Sequence, residues 1–468
     1  MHVASMHFKS KSSIQLDNEH FQKNMRRFGR GFVEKRAAAV AQLDIFEDLR
    51  ESGKTIRNRG LENLDAYLIT FEQMAKARGA IVHWAEKAHD VNRIVIEIAQ
   101  TNGVTKIVKS KSMVSEESGL NHSLKAVGIE AIETDLGEYI VQLAKEPPSH
   151  LIAPAIHKSK EDVAELFQQH HNLPYKLDIP ALTQEARQIL RPHFLSATMG
   201  ISGGNFLIAE TGSVALVTNE GNGRMVTTLP KIHVAITGIE KVLPTLDDFS
   251  TIMRLLPRSA TGQSISNYVT LLTGPKGKDD TDGPEQFHVI LVDSGRSAML
   301  GTEMQEALRC IRCGACMNHC PVYQNIGGHS YGWVYPGPIG AVLTPNFVGL
   351  ENALDLPQAA TLCNACGIVC PVKIPLPDLM RHLREKQIVQ KLRPLSERLS
   401  INVWRFLATH ARLYAFATQV AARVGKRLGG ADAVIHSLPG LDGWTKGRDM
   451  PAPAGKTFRE LYAKKTRR

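Results

Sequence analysis

The spacing of apolar residues separates a helical start from a longer region in which strands and helices alternate. Residues 1–70 are polar and predicted to be helical, and residues 35–50 are predicted to form one amphipathic helix. Its apolar side chains recur at helical spacing: Val40, Leu43, Phe46 and Leu49. This spacing places one stripe of the helix against a core.

From residue 79, short apolar runs that predict strands alternate with helical patterns. The predicted strands are 80–84, 106–109, 129–134 and 150–156. The predicted helices are 90–100, one that starts at 115, 136–144, 160–170 and 183–195. Repeated strand–helix units of this length indicate an α/β fold with a mostly parallel sheet between layers of helices.

A glycine-rich segment at 199–205 precedes two apolar runs, and the break between them at Thr211 and Gly212 predicts a hairpin or a kinked strand pair. The second run leads into a glycine-containing loop at 219–224. Further strands are predicted at 231–237, 268–272 and 287–292. The glycines at 199–205 precede a strand and do not open a helix, so they lack the context of a dinucleotide-binding fingerprint.

All seven cysteines lie between residues 310 and 370. The first four follow the spacing C-x2-C-x2-C-x3-C-P, and the last three follow C-x2-C-x3-C-P. This spacing is typical of two-cluster iron–sulfur proteins, in which three cysteines of a motif hold one cluster and the fourth reaches the other cluster. The pattern predicts two iron–sulfur clusters.

The same rule divides the cysteines between two sites. The first cluster takes four thiolates: Cys310, Cys313, Cys316 and Cys370. The second cluster takes the remaining three: Cys320, Cys363 and Cys366. Ala360 stands where a complete second motif has its first cysteine. The second cluster is therefore predicted to be either a [3Fe-4S] cluster or a [4Fe-4S] cluster whose last iron has a non-cysteine ligand.

Zinc and disulfides explain the cysteine pattern less well. A zinc ribbon needs four ligands for each metal and usually lacks the proline-terminated spacing. Disulfides require an oxidising compartment, and an odd number of closely spaced cysteines argues against them.

Length and composition indicate more than one domain. The chain has 468 residues, of which 43% are hydrophobic, as in ordinary soluble proteins. The patterns predict a helical N-terminal region (1–70), an α/β domain (71–300), a helical ferredoxin-type domain (301–390) and a basic C-terminal region (391–468). No apolar run reaches the roughly 18 residues of a membrane span, and the basic start lacks the apolar core of a secretory signal. A cytoplasmic location is therefore predicted.

The formal charge of +10 is concentrated at the two ends of the chain, whereas its middle is acidic. Basic ends fit an anionic membrane surface, an acidic partner subunit or nucleic acid, and equally a solvated basic face. Residues 401–424 predict a basic amphipathic helix, which fits packing on its own domain or a peripheral contact with a membrane. Nucleic acid binding is not expected, because the basic region lacks interleaved aromatic residues and a recognised binding motif.

The cysteine region resembles the iron–sulfur subunit of the bacterial three-component L-lactate utilisation system. The resemblance rests on ALRCIRCGAC and CPVY within 307–323 and on LCNACGIVCPVKI at 362–374. Residues 204–213 (GNFLIAETGS) and 219–224 (NEGNGR) resemble the lactate-utilisation domain of that family. Together these segments make the resemblance cover most of the chain.

The resemblance implies an electron carrier in the oxidation of L-lactate to pyruvate, which acts in a cytoplasmic complex with two sister subunits. It implies two [4Fe-4S] clusters and transfer of electrons from a catalytic partner toward a quinone or another acceptor. The α/β domain is similar to sugar-phosphate isomerase and CoA-transferase folds, whose members bind anionic small molecules above the strand ends. Glu210, Asn219 and Arg224 fall in those loops and are the candidate ligand-binding residues. Residues 337–343 indicate helices inserted between the cysteine motifs, similar to the helical ferredoxin domain of the iron–sulfur subunit of succinate dehydrogenase.

The chemistry leaves one alternative open. Oxidation of a hydroxy acid removes two electrons, whereas an iron–sulfur cluster accepts one electron at a time. The sequence shows no flavin or nicotinamide site, so the hydride step is assigned to a partner. In the alternative, the chain is a cluster-based lyase whose open iron acts as a Lewis acid on a hydroxy acid. That reaction needs a base near Cys363, and Lys373 is a weak candidate for it.

Overall fold

The computed structural model describes residues 3–438, 445 and 448–465. These residues form two compact units, of which the first ends at Gln387 and the second begins at Ile388. The division into four regions made from the sequence stays a prediction.

Four helices open the first unit: α1 (Phe8–Leu16), α2 (Glu19–Ala41), α3 (Phe46–Glu62) and α4 (Leu64–Ala77). The single helix predicted over 35–50 is wrong, because α2 ends at Ala41 and α3 begins at Phe46. Acidic residues favour a new helix start here, since Glu47 and Asp48 occupy the first turn of α3 at the positive end of its dipole. The apolar spacing of 35–50 therefore belongs to two helices.

Ten strands of the first unit form two sheets. They are β1 (Ile81–Ala85), β2 (Lys106–Lys109), β3 (Glu130–Glu133), β4 (Met199–Gly203), β5 (Phe206–Ile208), β6 (Ser213–Thr218), β7 (Ile232–Gly238), β8 (Val242–Leu243), β9 (Tyr268–Leu272) and β10 (Gln286–Val292). The larger sheet has the order β1-β10-β7-β4-β2-β3, and its neighbouring strands are all parallel. The predicted α/β class is confirmed.

The smaller sheet has the order β8-β5-β6-β9. Strands β5 and β6 pair antiparallel, with Phe206 opposite Ala215, which confirms the predicted hairpin. Gly212 at the turn has a φ of 68°, a conformation that glycine adopts without a steric penalty. The predicted loop at 219–224 is shorter than expected, because a helix begins at Asn222.

Helices cover the parallel sheet: α5 (Ala88–Thr101), α6 (Met113–Ser118), α7 (Leu120–Ala126), α8 (Leu136–Leu143), α9 (Lys160–His171), α10 (Ile179–Ser196) and α11 (Asn222–Thr228). Helix α12 (Leu246–Ala260) packs instead against α2, α3 and strands β5 and β8 of the smaller sheet. One apolar core joins α5 and α7 to the sheet, and another joins α9 and α10 to it. These helix layers hold the strands of the parallel sheet in place. The loops that start at the carboxyl ends of such strands are where binding sites form in α/β proteins.

The strand predicted at 150–156 is wrong, because this segment forms turns. The backbone N–H groups of Ile152 and Ala153 donate to Nδ1 of His150, at 3.0 and 3.2 Å. Ser149 N–H donates to the carbonyl of Pro154. A side chain that accepts hydrogen bonds from the backbone of the next residues favours a turn over pairing in a sheet. A proline in the same segment has the same effect, because it lacks the N–H that a sheet needs.

The cysteine region contains short helices: α13 (Ala315–Asn318), α14 (Pro321–Ile326), α15 (Gly337–Val348), α16 (Ala365–Val369) and α17 (Leu376–Val389). Helix α15 confirms the helix predicted at 337–343. Pro321 occupies the first turn of α14, where its missing N–H costs no hydrogen bond.

The second unit contains α18 (Leu395–Thr409), α19 (Ala411–Leu428), β11 (Val434–Ile435), β12 (Met450–Pro451) and α20 (Phe458–Lys465). The predicted single helix over 401–424 is wrong, because His410 lies outside helical geometry between α18 and α19. Part of the predicted basic C-terminal region, 439–444, 446–447 and 466–468, lies outside the described residues. Within the described part of the chain, no helix combines the length and apolarity that a membrane crossing needs.

Candidate metal centre

The first group of cysteines lies around one small cavity. Cys310, Cys313, Cys316 and Cys370 line it together with apolar residues such as Leu151. Three of these thiols come from the loop before α13 and its start, and the fourth follows α16. The structure thus brings together the four residues assigned to the first cluster, although Cys370 belongs to the second motif.

The second group lies around another small cavity, lined by Cys320, Cys363 and Cys366. Cys320 ends the first motif, so each motif gives its last cysteine to the cavity of the other motif. Ala360 and Thr361 line this cavity as well. The structure therefore brings together the three residues assigned to the second cluster and places no fourth thiol beside them among the described residues.

The backbone around the two motifs follows one pattern. Arg312 and Gly314, on either side of Cys313, have φ angles of 58° and 73°. Leu362 and Asn364, on either side of Cys363, have φ angles of 57° and 63°. Left-handed residues before and after a cysteine turn the chain tightly, and a short helix follows in both motifs. By this equivalence, Ala360 holds the position that Cys310 holds in the first motif.

Burial disfavours the charged form of most of these thiols. Burial and then the Cys370 thiol raise the pKa of Cys313 to about 12, and burial and then the Cys320 thiol raise the pKa of Cys366 to about 12. The exposed Cys363 differs, because a hydrogen bond from the Thr361 hydroxyl lowers its pKa. An iron–sulfur cluster held by these cysteines would neutralise the buried thiolates, and its binding would release their protons.

The donor chemistry fits iron–sulfur clusters. Backbone N–H groups donate to sulfur in the first site, from Arg312 to Cys310 Sγ and from Ile374 to Cys370 Sγ, both at 3.4 Å. Such hydrogen bonds stabilise ligating thiolates and tune cluster potentials. Soft thiolates in an enclosed apolar setting select iron–sulfur, zinc or copper(I), and seven thiolates do not supply two four-ligand zinc sites.

The N-terminal helices hold the peptide groups next to the cysteines. Arg50 in α3 donates to the carbonyls of Cys370 and Ile368, at 2.8 and 2.7 Å. Arg36 in α2 donates to the carbonyl of Val369 at 2.9 Å. Reasoning from sequence missed both arginines. The feature of the sequence that could have indicated them is a basic residue next to the apolar stripe of an amphipathic helix, because such a residue lies close to the core.

Arg57 is a third arginine that the sequence did not single out. Its buried guanidinium donates to the carbonyls of Leu308 and Arg309 immediately before Cys310, and to those of Glu240 and Val242 where the chain passes from β7 into β8. Burial lowers its pKa to about 10, so it remains charged at neutral pH. One side chain thus joins α3, the connection between β7 and β8, and the segment that leads into the first cysteine loop.

A buried charged group lies where β7 ends. Arg296 donates to the carboxylates of Glu117 and Glu240 at 2.6 and 2.7 Å. Burial alone would raise the pKa of Glu240, but Arg296 and the neighbouring cations Lys241 and Arg312 lower it to about 2. The Lys241 ammonium donates to the carbonyl of Cys310 at 2.8 Å. Burial lowers the pKa of Lys241 to about 7, so the first cysteine loop lies against buried basic side chains of which Arg312 keeps its charge.

A larger cavity of about 260 Å³ lies beside this charged group, at the carboxyl ends of the parallel strands. The residues that follow β2 and β4 line it, and Ile311 and Arg312 line it from the first cysteine loop. Lys111, Lys241 and Glu220 also face it. The cavity thus borders the loop that carries two of the first-site thiols.

The three residues assigned to ligand binding in the α/β domain do not come together. Asn219 lines the cavity. Glu210 lies outside its lining, where its carboxylate accepts a hydrogen bond from the N–H of Leu246 at the start of α12. Arg224 also lies outside it, with its guanidinium 5.0 Å from the centre of the Tyr268 ring.

Three family descriptions match successive parts of the chain. Residues 68–292 match the LUD domain, residues 306–374 match a 4Fe-4S dicluster domain, and residues 381–467 match the C-terminal domain of lactate utilisation protein B. The chain therefore carries an iron–sulfur domain at the cysteine region. A crystal structure of a DUF162 family protein from Deinococcus radiodurans covers 49% of this chain and 98% of that protein, with a TM-score of 0.29 and 14% identity.

Full-length relatives carry one name. Lactate utilization protein B of Geobacillus kaustophilus is 44% identical, over 92% of this chain and 91% of the relative. Lactate utilization protein B of Bacillus subtilis is 43% identical, over 99% of this chain and 97% of the relative. The cysteine geometry, the matched domains and these relatives agree: the chain belongs to the lactate utilization protein B family.

Proposed function

We propose that this protein is the iron–sulfur electron-transfer component of a system that oxidises L-lactate to pyruvate. The observation that supports the proposal most directly is the pair of thiol-lined cavities, each of which takes its last cysteine from the other motif. The substrate follows from the name of its relatives, lactate utilization protein B. Iron–sulfur clusters supply one-electron transfer, so two of them together match the two electrons that lactate releases.

In this proposal, Cys310, Cys313, Cys316 and Cys370 hold a [4Fe-4S] cluster. Cys320, Cys363 and Cys366 hold the second cluster, which is either [3Fe-4S] or a [4Fe-4S] cluster with one non-cysteine ligand. Thr361 is the candidate for that ligand, because it lines the second cavity and its hydroxyl contacts Cys363.

The surroundings of the two sites give them different roles. The first site lies against the charged group and the larger cavity. The second site reaches the surface, where Cys363 is exposed and Ile368 and Leu362 are 64% and 41% exposed. An exposed apolar rim beside a metal site is suited to contact with a partner protein. We infer that a sister subunit or an electron acceptor docks at the second site.

The hydride step is proposed to belong to a sister subunit. The described residues contain no glycine-rich turn between a parallel strand and a helix of the kind that binds a dinucleotide, since Gly203 and Gly204 lead from β4 into β5. The protein then carries electrons between a catalytic partner and an acceptor such as a quinone.

Anaerobic reconstitution with iron and sulfide tests this function. We expect two reducible clusters by electron paramagnetic resonance (EPR), and no consumption of L-lactate by the chain alone. Addition of the sister subunits together with lactate is expected to reduce the clusters. Purified protein that contains zinc in place of iron and sulfide would contradict the proposal. Lactate turnover by the chain alone would instead favour the cluster-based lyase.

A further inference from the structure

The larger cavity lies at the point where the connections of the parallel sheet change direction. From β2 the chain continues to β3 on one side, whereas from β4 it continues to β7 and β10 on the other side. β2 and β4 are neighbours in the sheet. In open α/β sheets, ligands bind in the crevice outside the carboxyl ends of such strands, where adjacent loops diverge.

The residues that follow these two strands form the cavity wall. Residues 110–114 follow β2, and Gly203, Gly204 and Asn205 follow or end β4. A Cβ atom at Gly204 would lie 2.9 Å from the Val214 side chain, and one at Gly203 would lie 3.2 Å from the carbonyl oxygen of Lys111. Gly203 therefore lets the ends of β2 and β4 approach each other closely at the cavity, and Gly204 does the same for β4 and β6.

Lys111 brings a positive charge to this wall. It is half-buried, and among the described residues no ion pair holds its ammonium, although the carboxyls of Glu138 and Glu220 lie near enough to interact with it electrostatically. The other cavity-lining cations differ, since Arg312 lies 3.4 Å from Glu240 and Lys241 donates to the carbonyl of Cys310. Lys111 is thus the lining cation whose ammonium is held by no ion pair of the described residues, so its N–H groups can donate to an anionic ligand.

The cavity lining also contains a carboxyl group that is only partly ionised, Glu220. Enclosure at the rim and the neighbouring Asp135 carboxylate raise the pKa of Glu220 to about 7. Its Oε2 accepts a hydrogen bond from the N–H of Leu136 at 3.2 Å. A carboxyl group that holds a proton can donate it to the hydroxyl or keto oxygen of a ligand, and it repels an anion less than a carboxylate does.

We propose that this cavity binds a small 2-hydroxy or 2-oxo carboxylate, with the ligand carboxylate at Lys111. The choice of acid rests on the proposed function, whereas the position rests on the cavity and its charges. The volume is ample, because a water molecule needs roughly 10–15 Å³ of such space and the cavity offers about 260 Å³. L-Lactate or pyruvate therefore fits together with several water molecules.

A ligand at this place contacts the first cysteine loop. Ile311 and Arg312 lie between Cys310 and Cys313 and line the cavity. Binding therefore has a spectroscopic consequence that a distant surface site would lack. The EPR signal of the first cluster is expected to shift when the cavity fills, and the signal of the second cluster is not.

Calorimetric titration of the anaerobically reconstituted full chain tests the proposal. L-Lactate and pyruvate are expected to bind saturably, and the neutral analogue lactamide is expected to bind at least about tenfold more weakly, which corresponds to 1.4 kcal/mol. Lys111→Gln is expected to weaken lactate binding by a similar factor, while Lys111→Arg retains it. Lys125→Gln is the matched control, because Lys125 is an exposed lysine of the same domain outside the cavity.

Several outcomes would overturn the site. Equal binding of lactate and lactamide to the parent protein would do so, even if Lys111→Gln failed to fold. Equal lactate affinity in the parent and a folded Lys111→Gln would do so as well. Absence of lactate and pyruvate binding, with two normal reducible clusters, would remove this inference and leave the proposed function intact. Absence of the clusters themselves would instead remove the proposed function.

Discussion

Arg312 and Leu362 share one left-handed backbone conformation, with φ angles of 58° and 57°, and each precedes the equivalent cysteine of its motif. Their side chains have nothing in common, since one is a buried cation and the other an exposed apolar residue. The two motifs are therefore equivalent in backbone and different in surroundings. This equivalence identifies Ala360 as the counterpart of Cys310.

Ala360→Cys is expected to complete the second site. A fourth thiolate at the position equivalent to Cys310 gives the last iron a soft ligand, so loss of iron from this site in air should slow by roughly 10-fold or more. Iron analysis and EPR during exposure to air measure the effect. Ala359→Cys, at the buried neighbouring position, is the control and should leave the rate unchanged. Equal rates in both variants would show that Ala360 is not the missing ligand position.

Each motif gives its last cysteine to the cluster of the other motif, so replacing that cysteine is expected to remove the EPR signal of the other motif's cluster. Cys370→Ser should remove the same EPR signal as Cys310→Ser, although Cys370 lies in the second motif. Cys320→Ser should remove the same signal as Cys363→Ser. Pairing of Cys370→Ser with Cys363→Ser in place of Cys310→Ser would contradict the ligand sets proposed here.

Arg312→Gln is expected to make the potential of the first cluster more negative. The Arg312 guanidinium is buried, and its pKa is raised despite that burial because Tyr335, Cys310 and Glu240 favour its charged form. A fixed cation near a cluster stabilises the reduced state, which carries one more negative charge. A redox titration followed by EPR measures the change. Arg381→Gln, at an exposed arginine of α17, should leave the potential unchanged, and an unchanged potential in Arg312→Gln would contradict the prediction.

Arg57→Met is expected to destabilise the first unit by about 3 kcal/mol or more, because it leaves buried carbonyl groups without donors. Two of those carbonyls, of Leu308 and Arg309, directly precede Cys310, so cluster retention should fall as well. Thermal unfolding under anaerobic conditions and iron content measure the two effects. Arg78→Met, at an exposed position, should behave as the parent. A parent-like melting temperature in Arg57→Met would show that water or other donors replace the guanidinium.

Stability is expected to fall as the pH drops below about 6.5, in part because of His233. Burial lowers its pKa to about 3, while the unfolded chain takes up the proton near the ordinary value of 6.5. Between these values the unfolded state binds more protons, so this group lowers stability by about 1.4 kcal/mol for each pH unit below 6.5.

His233→Gln is the variant that isolates the contribution of His233 to the pH dependence of stability. Glutamine retains a partner for the Ser202 hydroxyl, which lies 2.8 Å from the His233 ring, and does not titrate. Denaturant unfolding between pH 6.5 and 5 should therefore show a smaller pH dependence than in the parent. His122→Gln changes an exposed histidine and should keep the parental slope. Identical slopes in all three proteins would exclude His233 as a source of acid lability.

Local patterns in the sequence determined the α/β class, most of the strands and the division of the cysteines. Strand and helix periodicity depends on neighbouring residues, and the spacing of cysteines on a tight loop limits which thiols can converge. Where the pattern failed, a local feature intervened. The acidic start of α3 divided one predicted helix, and the His150 side chain converted a predicted strand into turns.

Tertiary structure alone decided which loops meet. Lys111, Glu220 and Arg312 lie far apart in the sequence, and they line one cavity because the order of strands places β2 beside β4 and the first cysteine loop against the end of β7. Likewise, no local pattern shows that Arg57 reaches carbonyls near residues 240 and 308. Side-chain periodicity reports which face of an element is buried, but contacts between distant segments depend on the order of the strands and the packing of the layers.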